Sequence, residues 1–294
     1  MTTTHWSYEA AFSRNRGLIT PEEQTRLRRA RVAVLGLGGV GGVDLVTLAR
    51  LGIGRFTIAD PDVFEIHNTN RQYGARVSTY GRAKAAVMRE AVLDINPEAE
   101  VRVFEAPISA ANAEAFLADA DVLVDGLDAF VIDVRRLLFR LARERGIYAL
   151  GAGPVGYSTA WVIFDPRGMP FDRYFDLHDG MDPVELFAAY VVGMAPSGIH
   201  RRYMDLAYLD FDRHTGPSVG FACELAAGVI GAEVMKLLLG RGRIYPAPWY
   251  HQFDPYLGRY VRRRLRSGNR HPMQRLTRRW LVRYLRRRAA EESS

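Results

Sequence analysis

The stretch Arg31-Val32-Ala33-Val34-Leu35-Gly36-Leu37-Gly38-Gly39-Val40-Gly41-Gly42 constrains this chain more than any other. A short β-branched run enters it, glycines turn it, and the apolar-periodic segment Val43 to Gly52 leaves it, which predicts strand, tight loop and helix. Such an order makes a place for an anion. Glycines let the backbone pass close to a phosphate, and the first free N–H groups of the helix, with its dipole, favour negative charge there. Arg55 to Asp60 reads as the next strand and ends on an acid nineteen residues past Gly41, where a ribose-binding carboxylate is expected. The pattern predicts a bound nucleotide.

The rest of the first half repeats the alternation. Lys84 to Leu93 reads as helix, Val101 to Glu105 as strand, Ala110 to Ala118 as helix, Asp121 to Asp125 as strand, Asp133 to Arg145 as helix and Ile147 to Leu150 as strand. A βαβ series of this kind implies an α/β fold with a doubly wound, mainly parallel, Rossmann-like sheet. Ligands bind beyond the carboxyl ends of such strands, and Gly38 to Gly42, Asp60, Asp128 and Gly151 to Gly153 are all expected on that edge. After Gly153 the pattern changes. Tyr157 to Phe164 alternates like an antiparallel strand, 165 to 217 is weakly periodic with helix only at Val184 to Val192, Gly220 to Gly240 is a strong helix, and Pro248 to Asp254 with Gly258 to Arg263 reads as a β-hairpin. Antiparallel strands are thus expected to extend the sheet. Four segments follow: an arm and helix at 1–30, a nucleotide-binding core at 31–155, a half with substrate-binding loops and a crossover helix at 156–264, and a basic amphipathic tail at 265–294.

Composition limits the setting. The 294 residues are 48% hydrophobic, enough for a proper core. Cys223 is the sole cysteine, so the chain makes no internal disulfide and no cysteine-based zinc site. Charged residues run through the first thirty positions and no apolar run is long enough to span a bilayer, which predicts a soluble, cytoplasmic protein. The net charge of +7 is local in origin: from Arg259 onward there are thirteen arginines against Glu291 and Glu292, leaving residues 1–258 at about −4. Within that tail Met273, Leu276, Trp280 and Tyr284 fall at helical steps. A helix of this kind docks its stripe on the body or a second subunit, grips nucleic acid, or lies on an anionic membrane, and composition leaves the three open. Upstream, Thr20-Pro21-Glu22-Glu23 opens a helix to Ala30 whose Arg26, Arg28 and Arg29 read as a solvated face.

A glycine loop with an acid fits either a dinucleotide or ATP, and the cations decide. Reaction at the α-phosphate of ATP calls for Arg and Lys on the triphosphate and a carboxylate for Mg²⁺. Arg71 follows the second strand, Lys84 starts a helix and Asp128 follows a later strand. A nicotinamide-dependent oxidoreductase is the competing class, and the chain shows no convincing acid–base pair for hydride transfer.

Six ordered motifs carry a resemblance: Gly36-Leu37-Gly38-Gly39-Val40-Gly41, Ala59-Asp60-Pro61-Asp62, Asn68-Thr69-Asn70-Arg71-Gln72, Gly81-Arg82-Ala83-Lys84-Ala85, Ile95-Asn96-Pro97 and Asp125-Gly126-Leu127-Asp128. In order and spacing they resemble the adenylating domain of the ThiF/MoeB family, which includes ubiquitin-activating enzymes. The resemblance implies adenylation of a carboxylate, commonly the C-terminal glycine of a ubiquitin-like carrier protein, with ATP and Mg²⁺. It places Asp60 on the ribose, Asn68, Arg71 and Lys84 on the phosphates and Asp128 on Mg²⁺, and counts Gly36, Gly38, Gly39, Gly41, Asp62, Gln72 and Leu127 with the nucleotide site. Phe12-Ser13-Arg14-Asn15 resembles the family's arm, which implies a homodimer in which Arg14 reaches the γ-phosphate of the other subunit; Arg16 is the reserve. The departures are informative. The two zinc-binding Cys-x-x-Cys pairs of many members are missing, and Cys223 opens an apolar helix, so a cysteine thioester is not expected. The family's arginine five residues after the Mg²⁺ aspartate is also missing: position 133 is Asp, with Arg135 and Arg136 as substitutes. The Asn-Thr-Asn-Arg-Gln motif resembles the branch acting on threonylcarbamoyl-adenosine in tRNA, while residues 155–258 look more like stand-alone ThiF-like proteins, including those that modify peptides.

Overall fold

A computed structural model describes residues 5–211 and 213–292, so residues 1–4 of the arm and 293–294 of the tail lie outside the described residues. The chain divides into two units, Met1–Gly126 with Ala227–Ile244, and Leu127–Ala226 with Tyr245–Ser294.

The first unit opens with the one-turn helix α1 (Tyr8–Ala11) and with α2 (Pro21–Arg29). Thr20 and Glu23 close a reciprocal capping box at the start of α2, as Thr20-Pro21-Glu22-Glu23 predicts. Then β1 (Arg31–Leu35), α3 (Gly41–Leu51), β2 (Arg55–Ala59), α4 (Lys84–Ile95), β3 (Glu100–Phe104), the single turn α5 (Ala113–Phe116) and β4 (Val122–Asp125) follow. Every strand pair here is parallel, in the order β3-β2-β1-β4. All five residues of β1 and all four of β4 are buried, which is why these segments read as continuous apolar runs rather than alternating ones. The expected helix at Ala110 to Ala118 shrinks to one turn. Asn112 Oδ1 accepts from the Ser109 amide at 2.8 Å, and such a local turn competes with helix.

The second unit holds α6 (Asp133–Glu144), β5 (Tyr148–Val155), β6 (Ser158–Phe164), α7 (Phe171–Phe175) and α8 (Pro183–Met194). The long helix α9 (Gly220–Leu239) begins in this unit and ends in the first. β7 (Trp249–Asp254), β8 (Arg259–Arg264) and α10 (Pro272–Glu292) complete the chain. Pairing here is antiparallel, in the order β5-β6-β7-β8, so the parallel strands and the antiparallel C-terminal strands expected from the sequence are both present. The weakly periodic segment 165–217 carries more structure than its pattern suggests. Besides α8 it contains α7 and the 3₁₀ turns Ile199–Arg202 and Leu206–Tyr208, each too short to leave a periodic signal. What fixes it is aromatic packing: Phe171 and Phe175 have ring centroids 4.7 Å apart, and Phe164 lies 5.4 Å from Phe171.

Arg26, Arg28 and Arg29 are exposed, as a solvated face requires, and two of them also bond: the Arg26 guanidinium donates to the Leu238 and Leu239 carbonyls at 2.7 and 3.0 Å, capping the end of α9. Arg28 likewise lies over the Tyr8 ring at 4.4 Å and pairs with Glu9 and Glu98. The tail is helical and docks, but not by the stripe expected. Leu281, Val282 and Leu285 are buried in a cluster with Phe187, Ala188 and Val192 of α8, each burial contributing about 1.5–3 kcal/mol. Met273, Leu276 and Trp280 stay 61%, 63% and 46% exposed. Among the described residues no helix is long and apolar enough to cross a membrane.

Candidate functional site

β1 delivers the chain to Gly36 with a left-handed φ of +80°, and Gly36 N–H donates to the Ala59 carbonyl at 2.9 Å. The loop then folds so tightly that a Cβ on Gly41 would lie 1.8 Å from the Gly36 oxygen. Gly126, just past β4, packs against the same turn, where a Cβ would stand 2.4 Å from Gly41 Cα. Only glycines close this turn. α3 leaves it with no side-chain cap at its N-terminus; Gly42 N–H turns back to the Gly38 carbonyl at 3.2 Å, and the dipole of that helix end favours an external anion.

Asp60 holds the loop from the end of β2. Its Oδ2 accepts from Leu37 N–H at 2.7 Å and its Oδ1 from Asp62 N–H at 2.9 Å. Burial raises this carboxyl above the ordinary value, against the lowering effect of Lys84 and the two amides. The ribose expectation is thus joined by a structural duty, since the acid already braces the glycine turn. Lys84 is the first residue of α4, is buried, and bonds to Asp62 Oδ2 at 3.1 Å, while its amide donates to the Asp62 carbonyl at 2.9 Å. A lysine at a positive helix end is disfavoured by the dipole, and Asp62 offsets that cost. Gln72 lies over the turn, 3.5 Å from where a Gly38 Cβ would stand, and its buried Oε1 has no hydrogen-bond partner. The first unit therefore brings Gly36, Gly38, Gly41, Asp60, Asp62, Lys84 and Gln72 to one turn.

Other residues are placed differently. Asn68 is buried with Oδ1 accepting from Glu65 N–H at 3.0 Å, so it shapes the loop after β2. Arg71 donates to the His67 carbonyl and Asn70 Oδ1, both at 3.0 Å, and is only partly buried. Arg14 sits in the turn Ser13–Asn15, exposed, on an arm tied to the far end of α3: Asn15 donates to the Leu51 carbonyl at 3.1 Å and Tyr8 OH to that of Gly52 at 2.5 Å. Eleven helical residues, about 16 Å, separate that end from the glycine turn. The structure does not bring Arg14 to its own chain's loop.

Leu127 and Asp128 open the second unit. Asp128 is exposed, with Oδ1 accepting from Phe130 N–H at 3.3 Å. Arg135 and Arg136 are placed differently. The fully buried Arg135 donates to the carbonyls of Leu127, Asp128 and Val131 at 2.7, 3.1 and 2.9 Å and stacks on Tyr190 at 4.3 Å, so it holds the segment that presents Asp128. Arg136 is instead bound to Asp172 and Asp179. Cys223 is fully buried, the setting of a structural thiol.

Two features escaped the sequence reading. Asp44, in the first turns of α3, is fully buried with neither carboxyl oxygen bonded, and burial, with Asp125 adding to it, pushes its pKa well above the usual carboxylate range. Its position among apolar neighbours in the sequence was the only signal. In the second unit Gln252 donates to Ser158 Oγ at 2.8 Å, Ser197 donates to Gln252 Oε1 at 2.5 Å and Tyr203 donates to Asp254 Oδ2 at 2.7 Å. His200 contacts Gln252 Nε2 at 3.3 Å, and its pKa falls to about 4, through burial first and Arg201 second.

A glycine turn feeding an uncapped helix, braced by a strand-end acid and flanked by a buried lysine, is the arrangement of a doubly wound α/β protein. The ThiF family model matches residues 12–276, and the chain belongs to the ThiF family. It is 35% identical over 154 residues to a tRNA threonylcarbamoyladenosine dehydratase of Haemophilus influenzae, covering 52% of this chain and 58% of that one. It is 32% identical over 235 residues to the probable adenylyltransferase/sulfurtransferase MoeZ of Mycobacterium tuberculosis, covering 78% and 53%. The chain thus spans little more than half the length of these relatives. Among solved structures, PaaA has a TM-score of 0.65 at 18% identity, covering 90% of this chain and 77% of that one. MccB of E. coli with ATP has a TM-score of 0.63 at 18% identity, covering 84% and 66%. Both share the fold.

Proposed function

We propose that the chain is an ATP-dependent adenylyltransferase that activates a carboxylate as an acyl adenylate with release of pyrophosphate. The observation that carries this reading is the glycine turn, whose close Gly36–Gly41 contact leads into an α3 N-terminus with no side-chain cap, an end whose dipole favours phosphate oxygens. Asp60 and Gln72 are the candidates for the nucleoside. Gln72 brings an unbonded buried oxygen, Lys84 a cation at the same turn, and Arg71 and Asn68 belong to the neighbouring loop. Bound magnesium would supply charge neutralisation for the departing pyrophosphate. A single exposed carboxylate suffices for an ion that keeps several waters and substrate oxygens, and Asp128, held by Arg135, is the residue we assign to it.

In this scheme Lys84 holds charge at the phosphates, the N-terminal end of α3 orients them, and the substrate carboxylate attacks the α-phosphorus as pyrophosphate leaves. Arg14, tied to the far end of α3, is assigned to the γ-phosphate of a second copy in a homodimer. The substrate is a carrier-protein C-terminus, a peptide or a small acid. A second reading, favoured by the 35% identity to the dehydratase, is that the substrate is threonylcarbamoyladenosine in tRNA. Both readings place the protein in the cytoplasm. Pyrophosphate exchange into ATP, screened against carriers, peptides and tRNA, distinguishes them. Asp128→Ala and Lys84→Ala are expected to lower that exchange at least about a hundredfold with the fold intact, and normal exchange in either removes that residue from the scheme.

A further inference from the structure

The tail helix has two apolar faces, and adenylation uses neither. One, with Leu281, Val282 and Leu285, is spent on α8. The other, with Met273, Leu276 and Trp280 at helical steps, stands in solvent; Tyr284, its ring stacked on Trp280 at 5.6 Å, is half-buried against the α8 cluster and closes the stripe at that end. Beside that open stripe run Arg275, Arg279 and Arg283 at four-residue intervals, all exposed and, among the described residues, with no ion-pair partner. The other tail arginines contrast with them: Arg278 pairs with Asp176, Arg286 with Asp182 and Glu185, and Arg287 with Glu291. From residue 277 onward the helix also lies beyond the span matched by the family model.

We infer that the open face of α10 is a docking surface for an anionic lipid bilayer, on which the helix lies in the plane of the headgroups. Charge complementarity selects this occupant. A second copy would set like rows of arginine against each other. Nucleic acid would satisfy the arginines but leave Met273 and Leu276 uncovered. A bilayer surface takes both, the acyl boundary receiving the stripe, the tryptophan seated at the interface and lipid phosphates meeting the guanidiniums. At 21 residues the helix offers about 31 Å of contact, and its grip on α8 presents that contact in a fixed orientation.

The test is sedimentation of the full chain with vesicles of phosphatidylcholine containing about 30% phosphatidylserine, against phosphatidylcholine alone, in low and high salt. Association with the anionic vesicles only, weakened by salt, is expected. L276S/W280S and R279E/R283E should each lower it about tenfold or more, with unchanged far-UV circular dichroism and melting, because all four side chains are solvent-facing. No association with anionic vesicles, or association that both variants leave intact, overturns the proposal. So does binding of bulk tRNA that R279E/R283E abolishes while L276S/W280S and anionic vesicles have no effect on it.

Discussion

Asp44 is a carboxyl that folding takes entirely out of water without giving it a hydrogen-bond partner among the described residues. Its folded pKa lies above the unfolded value, so its contribution to stability is fully present below the ordinary carboxylate range and is lost as pH rises toward and through the folded value. Asp44→Asn, which keeps the shape of the neutral acid, should therefore melt progressively higher than the parent as pH is raised from about 4 toward neutrality. Parallel melting curves across that range would show that Asp44 does not titrate with folding. His200 has the opposite sign. Its pKa is depressed to about 4, so the stability tied to its neutral ring is present above the ordinary histidine value and is lost as pH falls from there toward 4. His200 carries no mark of its burial in the sequence, and for Asp44 the apolar neighbours Val43, Leu45 and Val46 are the one signal.

At the scale of elements, the turn from β1 into α3 is the most sharply specified piece of the chain. Gly41→Ala would set a Cβ against the Gly36 oxygen, so the turn must open. A destabilisation of about 2–4 kcal/mol is expected, and loss of ATP binding with it. Denaturant titration and calorimetry with ATP check both, and ATP binding retained by a well-folded variant would show that the turn does not form the phosphate site. This element was legible because a β-branched run, glycines and an apolar period are local signals. The face on which α10 docks was not. Met273, Leu276, Trp280 and Tyr284 form as good a stripe on paper as Leu281, Val282 and Leu285, and only the presence of Phe187, Ala188 and Val192 on α8 selects the second.

At the scale of the whole molecule, the arm carrying Arg14 is fastened to the end of α3 remote from the glycine turn, and the proposal assigns that arginine to a second copy. Mixing Arg14→Ala with Lys84→Ala protein should then restore about a quarter of parental exchange activity, because half of randomly mixed dimers carry one intact site. No recovery above the separate variants would place Arg14 outside the site. The sequence by itself determined the order of strands and helices in the parallel half, the glycine turn, Asp60 and Lys84 beside it, and family membership, because each rests on local spacing. The tertiary structure alone decided that Arg135 rather than Arg136 holds the Asp128 segment, that Asp60 also braces the loop, that Asp44 is buried without a hydrogen-bond partner among the described residues, and which face of α10 stays open. Those outcomes depend on what distant segments bring against a side chain, and burial and partner geometry are set only when the chain has folded.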